Sequence, residues 1–426
     1  MTHVKHIVLI AAVVLTTGGL GWSVERFPPP QFETSYVMPS PSTPNPSPGF
    51  WQYVDVAVLA TALSVSSYLV LKVRSRRAIF GLMVFSLLYF GFWRKGCVCP
   101  IGAIQNVVLS FFDGSYAVPL TVIIFFLLPM IFTLFFGRSF CAAVCPLGAM
   151  QDLVLWRRVS VPAWAESGLR LFAYIYLGAA VLFAATGSAF VICRYDPFVS
   201  FFRVSGNLHI LILGGCFLIA GMFIARPYCR FFCPYGVILR QLSRLSRWRV
   251  TITPDQCVRC RLCEDSCPFN AIQKPTTAWP TGEYARAKNR LVLLLVLVPV
   301  LMVIGGWICA RLNTVTSRMH ATVRLAERVW LEEAGKVQGT TDASLAFRAT
   351  GKTIEALYDE ASGIRERFIF GGWLLGGFVG LVVGAKLISL SVWRRRIDYE
   401  PDHAGCLACG RCFEYCPRER LRRKPA

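Results

Sequence analysis

Two stretches of the chain repeat one pattern: Cys257-Val-Arg-Cys260-Arg-Leu-Cys263-Glu-Asp-Ser-Cys267-Pro268 and Cys406-Leu-Ala-Cys409-Gly-Arg-Cys412-Phe-Glu-Tyr-Cys416-Pro417. In each, three thiols recur at every third position, a fourth follows after three intervening residues, and a proline stands directly behind it. Four thiolates converging on an iron-sulfur cube come from runs of this kind. Zinc also uses Cys-x-x-Cys pairs, but four thiols at this spacing with a trailing proline, present twice, argue against it.

In bacterial two-cluster ferredoxins the fourth cysteine of each run ligates the other cluster. On that pattern Cys257, Cys260, Cys263 and Cys416 hold one 4Fe-4S cluster, and Cys406, Cys409, Cys412 and Cys267 hold a second. The two runs must then be neighbours in space. Residues 268–405 separate them and contain two long apolar stretches, 291–310 and 368–390. The reading is a ferredoxin into which a helical hairpin has been inserted.

The composition is that of a membrane protein: 55% hydrophobic, 13% aromatic and only 16% charged over 426 residues, with a mean hydropathy of +0.51. A net charge of +21 does not point to nucleic acid, because Lys and Arg fall in short clusters flanking apolar stretches, as the positive-inside rule requires. The 17 cysteines are mostly spaced as ligands rather than as a disulfide framework.

Residues 4–22 are apolar and no small-residue cleavage pattern follows, so 1–22 is read as an N-terminal transmembrane anchor. The prolines of 23–50 forbid regular structure and favour an extended periplasmic strap. Further apolar stretches lie at 52–71, 78–93, 116–136, 169–192 and 207–225, within a membrane core spanning 51–240. With the inserted pair, eight crossings result. Both ferredoxin halves, 241–290 and 394–426, must share one side, and the helices 291–310 and 368–393 supply the even number of crossings between them. The basic clusters Lys72/Arg74/Arg76/Arg77, Arg157/Arg158, Arg240/Arg244/Arg247/Arg249 and Arg394/Arg395/Arg396 then all fall in the cytoplasm. Segment 311–367 becomes a periplasmic helical segment, helical over about 314–335 and 353–366. The fold expected is an α-helical polytopic membrane protein of about eight transmembrane helices. A cytoplasmic two-cluster ferredoxin domain is split by its hairpin, and both termini are cytoplasmic.

A second signature recurs at helix ends: Arg138-Ser-Phe-Cys141-Ala-Ala-Val-Cys145-Pro146-Leu-Gly148 and Arg226-Pro-Tyr-Cys229-Arg-Phe-Phe-Cys233-Pro234-Tyr-Gly236. Arg94-Lys-Gly-Cys97-Val-Cys99-Pro100-Ile-Gly102 is a degenerate third copy. Cys141, Cys145, Cys229 and Cys233 are candidate ligands of a third cluster. The competing reading is that Cys serves as a small apolar residue. Cys97, Cys99 and Cys193 are candidates for an outer, membrane-embedded centre, with a disulfide as the alternative for a pair of them. One or two further iron-sulfur clusters in the membrane part are therefore expected. Cys216 and Cys309 are read as packing. His209 has no evident partner for a bis-His haem, and no nucleotide loop, Ser-His-Asp set or carboxylate pair is found. Gly339-Thr-Thr-Asp-Ala-Ser344 is read as an exposed turn before a helix rather than a flavin-attachment sequence.

Together the paired Cys-x-x-x-Cys-Pro-x-Gly motifs and the run at Cys257 resemble the NosR/NapH-like membrane polyferredoxins, over roughly residues 78–275 and the final run. The Gly96–Pro100 stretch and Cys193-Arg-Tyr-Asp-Pro-Phe198 look like a subgroup of that family. The resemblance implies electron passage across the bacterial inner membrane between a cytoplasmic carrier and a periplasmic flavin-, haem- or metal-containing partner. The large N-terminal flavin domain of the NosR pattern is not in this sequence, so a flavin would come only through a partner. The function expected is a non-catalytic electron-transfer subunit of an oxidoreductase complex. The alternative is a redox-dependent assembly or regulatory factor for a periplasmic metalloenzyme. A transporter finds little support, since the spans lack buried charges marking an ion path.

Overall fold

The computed structural model describes residues 49–96, 99–204, 207–252, 257–276, 284–392 and 396–423. The expected anchor at 4–22, the proline-rich strap before Gly49, Cys97 and the Arg394/Arg395 pair lie outside these residues. The chain divides into two compact units, 1–57 and 58–426. Of the first, the described part is the opening of a helix at Gly49; the rest of that helix and every later element belong to the second.

Five helices are long and apolar enough to cross a membrane: Phe50–Val73, Arg76–Trp93, Ala163–Ala185, Ala287–Arg311 and Ile354–Ser391. They match five of the expected spans. Two others form shorter helices, Leu120–Phe136 with 17 residues and Leu208–Phe223 with 16, against the roughly 20 needed to span the hydrocarbon. The stretch expected over 169–192 ends early because Gly187 takes a left-handed backbone at φ +66°. There Gly187 N donates to Ala184 O and Ser188 N to Phe183 O, both at 3.0 Å, the paired bonds of a Schellman stop. The chain restarts as the short helix Val191–Tyr195, which carries Cys193. Pro100–Phe112 is a further apolar helix that the hydropathy reading does not anticipate.

Four glycines at four-residue intervals, Gly372, Gly376, Gly380 and Gly384, are the buried stripe of the 38-residue helix Ile354–Ser391. A Cβ on Gly376 would collide with the Gly305 carbonyl, one on Gly380 with the Leu301 carbonyl, and one on Gly372 would sit 2.8 Å from the Cys309 carbonyl. The two arms of the hairpin therefore touch backbone to backbone, which is how helices associate where apolar burial offers no advantage over lipid. The boundary expected at 367/368 falls inside this one continuous helix. Its N-terminal turns pack Leu357, Ala361, Ile364 and Phe368 against Val323, Ala326, Val329 and Phe347 of helices Ala321–Glu333 and Asp342–Ala349. Thr341 and Ser344 form a capping box, so the expected turn is confined to Gly339–Thr341, and Asp342–Ser344 already form the first turn of the helix.

The ferredoxin halves meet across the insertion. Strand Ile272–Gln273 pairs antiparallel with Glu400–Pro401, with Ile272 opposite Pro401. Asp402 N donates to Ala271 O at 2.6 Å and Thr276 N to Arg396 O at 3.0 Å. Pairing that links residues so far apart in sequence is possible because the zipped hairpin returns the chain to its starting side.

Candidate metal centres

The two cysteine runs adopt one backbone conformation. Arg259 (φ +52°) and Arg261 (φ +63°) are left-handed two and four positions after Cys257, and Ala408 (φ +54°) and Gly410 (φ +75°) take the same places after Cys406. A one-turn helix follows in each, Leu262–Ser266 and Arg411–Tyr415, and each ends on an extended cysteine, Cys267 or Cys416. Left-handed non-glycine residues cost about 1–2 kcal/mol each. Such strain persists where surrounding structure requires it; here it curls both loops in the same way.

Cys257, Cys260 and Cys263 line one small cavity together with Cys416 from the other run, walled by Ile252, Val258 and Tyr399. Cys267 and Cys409 are buried in one apolar cluster against which Cys406 packs. Burial pushes the Cys406 thiol up to about 12, with Cys409 and Cys267 adding to it. Burial also raises Cys412, with Cys406, Cys409, Cys267 and Cys263 adding to it, and Cys412 packs beside Cys263 and Cys257. The structure thus brings Cys416 to the thiols of the first run and Cys267 to Cys406 and Cys409, with Cys412 between the two sets.

Cys141, Cys145, Cys229 and Cys233 line another cavity, closed by Ile101, Phe140, Tyr235 and Leu239. Cys145 and Cys233 each cap a helix, Pro146–Leu153 and Pro234–Arg244, with proline at its first position. Proline loses nothing there because that N–H has no intrahelical partner. Gly236 N donates to Cys233 Sγ at 3.3 Å, and the helix N-terminus favours a thiolate. Cys99 occupies the same place before Pro100–Phe112. The motif's glycine has a distinct task. A Cβ on Gly148 would lie 3.1 Å from Arg226 Nη1, and one on Gly236 3.5 Å from Arg138 Nη2. Gly148 admits Arg226 of the other copy, whereas a Cβ on Gly236 would meet Arg138 at ordinary contact distance.

These residues fit an iron-sulfur cube. Arg138 and Arg226 line the four-thiol cavity, and the Nε of each is buried without a hydrogen-bond partner among the described residues. Such groups are rarely left unmet, and the thiolates and sulfides of a cube would accept from them. Burial pushes the Cys229 thiol up to about 11 against the pull of Arg226, so a stable thiolate calls for bound cations. Among the described residues no three His, Cys, Asp or Glu side chains could hold a single metal ion. A cube, which takes one thiolate at each corner iron, suits more widely spread ligands.

Asp152, with its side chain fully buried, ties this cavity to the second ferredoxin half. Its carboxylate lies 2.6 Å from Arg76, 3.5 Å from Arg226 and 3.4 Å from Arg411. Burial alone would raise its pKa, but Arg226, Arg76 and Arg411 hold it well below the usual carboxylate range. Arg76 also donates to Cys409 O at 3.0 Å. Composition gave no hint of this hub; the arginine ahead of each Cys-x-x-x-Cys was its one visible sign.

On the outer set, a Cβ on Gly102 would lie 3.2 Å from Cys193 Sγ, which puts Cys193 beside the helix that Cys99 caps. Burial, then Asp196, raises Cys99 to about 12, with Cys193 a smaller contributor. Cys97 lies outside the described residues. Cys216 is exposed and Cys309 half-buried.

A family model described as a 4Fe-4S binding domain matches residues 118–162 and 207–253, which carry the two Cys-x-x-x-Cys-Pro motifs. A second model of the same description matches 250–273, around the Cys257 run. YccM of Escherichia coli (strain K12), which its name assigns to electron transport, is 30% identical over 122 residues, 26% of this chain and 34% of that protein. An uncharacterised protein of Methanocaldococcus jannaschii is 29% identical over 185 residues, 43% of this chain and 77% of its own length. NirI of Paracoccus denitrificans (strain Pd 1222) is 31% identical over 121 residues, 27% of this chain and 18% of that protein. The chain thus spans about a third of YccM and less than a fifth of NirI. No solved structure matches the chain. The matches agree with the resemblance to NosR/NapH-like membrane polyferredoxins.

Proposed function

We propose that this 4Fe-4S protein of NosR/NapH-like type is the membrane-bound electron-transfer subunit of an oxidoreductase complex. It relays electrons across the bacterial inner membrane between a cytoplasmic carrier and a periplasmic flavin-, haem- or metal-containing partner. The observation that carries this reading is the join between two thiol sets: Cys141 packs against the apolar cluster of Ala225, Cys267, Phe269, Leu407 and Cys409, as does Cys406. A freely diffusing ferredoxin would have no need of such a join to membrane helices.

A bound 4Fe-4S cluster takes up or gives back one electron at a time. The chain's own residues do the rest. Cys257, Cys260, Cys263 and Cys416 hold one cluster, Cys406, Cys409, Cys412 and Cys267 the second, and Cys141, Cys145, Cys229 and Cys233 the third. Ile252 and Tyr399 wall the first set, whose Cys260 is exposed; Ile101, Phe140, Tyr235 and Leu239, all buried, keep water from the third. Cys97, Cys99 and Cys193 hold an outer centre with a ligand that is not a cysteine of this chain. Eight crossings, with 4–22 as the first, put the ferredoxin halves and both termini in the cytoplasm and 311–367 in the periplasm. The clustering of basic residues supports that orientation.

The test uses the purified full chain in proteoliposomes, with an impermeant reductant outside and an impermeant acceptor inside. Cys145→Ser should retain both ferredoxin EPR signals while transfer across the bilayer falls to the protein-free level. Undiminished transfer in that variant would take the third thiol set off the route, and a parent protein that transfers no faster than protein-free liposomes would sink the conduit and leave the assembly-factor reading.

A further inference from the structure

Two buried cations stand where the thiol sets adjoin. Arg226 is 1% exposed and Arg138 4%. Arg226 donates through Nη1 to the Cys141 carbonyl and through Nη2 to the Ala142 carbonyl at 3.5 Å. Its guanidinium lies 5.8 Å over the ring of Phe269, two residues after Cys267. Arg138 reaches the other way: Nη2 lies 3.6 Å from Cys141 Sγ and Nη1 3.4 Å from the carbonyl of Ala404, two residues before Cys406. Arg76 and Arg411 stand behind them on Asp152. Three guanidiniums thus share one carboxylate in a water-poor region, and Arg138 lines the same cavity as Arg226. Burying unbalanced cations is costly, and this excess makes sense only beside a negatively charged group.

We propose that Arg226 and Arg138 are positioning residues that set the reduction potentials of the Cys141/Cys145/Cys229/Cys233 centre and of the neighbouring Cys406 centre, with Asp152 as the opposing charge. This rests on the reading that both thiol sets carry clusters. A four-thiolate cube is net negative, and each one-electron reduction adds a negative charge. The electron comes from the adjoining centre, which is oxidised by one, and no bond forms or breaks. A guanidinium cannot move its charge by losing a proton, so it stabilises the reduced state permanently and raises the midpoint potential. Asp152, within 3.5 Å of Arg226, offsets part of that. The unpartnered Nε groups of both arginines supply the hydrogen bonds that tune such potentials alongside charge.

The experiment is a redox titration followed by EPR on the full chain, with the third-centre signal identified by its loss in Cys145→Ser. Arg226→Gln should shift that midpoint to more negative values and shift the Cys406-set midpoint the same way. Asp152→Asn should shift both to more positive values, and Arg226→Lys should stay closest to the parent protein. If Arg226→Gln loses iron, the half-exposed Arg411→Gln decides: it leaves the cavity lining intact, and its midpoint should move negative. Unchanged midpoints, or shifts of one sign in both Arg226→Gln and Asp152→Asn, would overturn the charge assignment while leaving the clusters in place. An iron content that Cys145→Ser leaves unchanged, with no signal sensitive to that substitution, would instead overturn the third cluster and this inference with it.

Discussion

Cys416 ends the second cysteine run yet lines the cavity of the first, and that single placement is the sharpest test of crossed ligation. Cys416→Ser should alter the EPR signal of the Cys257 set and leave that of Cys406, Cys409 and Cys412 in place; the reverse result would mean each run holds its own cluster. Cys99 poses a different question. It caps Pro100–Phe112 as Cys145 and Cys233 cap their helices, with Cys193 nearby. Cys99→Ser should keep all the inner signals and abolish transfer across the membrane in proteoliposomes, whereas full transfer would return Cys99 and Cys193 to packing or a disulfide.

At the scale of elements, the hairpin works as a clamp. Its arms meet at Gly376 and Gly305 with no space for a side chain, and the atoms in the way are backbone carbonyls that cannot rotate aside. Overpacking a well-fitted core typically costs about 1–3 kcal/mol, and a collision with backbone lies at or above the top of that range. Gly376→Leu should therefore part the arms, disturb the pairing of Ile272–Gln273 with Glu400–Pro401, and weaken the signals of both ferredoxin clusters together. Gly377→Ala is the control, since its nearest neighbour beyond the helix is Met302 O at 4.0 Å, and iron content there should match the parent protein. Hydropathy marked this stretch as a span without singling out the glycine stripe. Its partner surface on Ala287–Arg311 was not legible either, because nothing in one helix specifies the rotation of the other.

For the whole molecule, the open question is sidedness. Reporter fusions at residues 40 and 340 should report export, and fusions at 160 and 280 a cytoplasmic location; a cytoplasmic reporter at 340 would break the even-crossing rule on which the split ferredoxin depends. The helix Ile354–Ser391 bears on this as well. At about 1.5 Å per residue, its 38 residues extend well beyond a bilayer core of about 30 Å. Its N-terminal turns pack against the small helical cap around Val329 and Phe347.

The sequence by itself determined the chemistry and the class of fold. Cysteine spacing specifies how many thiols one short loop can aim inward, and long apolar stretches specify a membrane, because both are local properties of the covalent chain. It also marked Arg138, Arg226 and the Cys-Pro-x-Gly glycines as parts of a motif, without disclosing their use. Only the tertiary structure decided that Gly148 makes room for Arg226, that Asp152 joins a membrane-side cavity to a ferredoxin loop, and that Cys141 and Cys409 adjoin one apolar cluster. These are contacts between segments far apart in the chain. Such contacts depend on how helices rotate and pack against one another, and no local spacing encodes that.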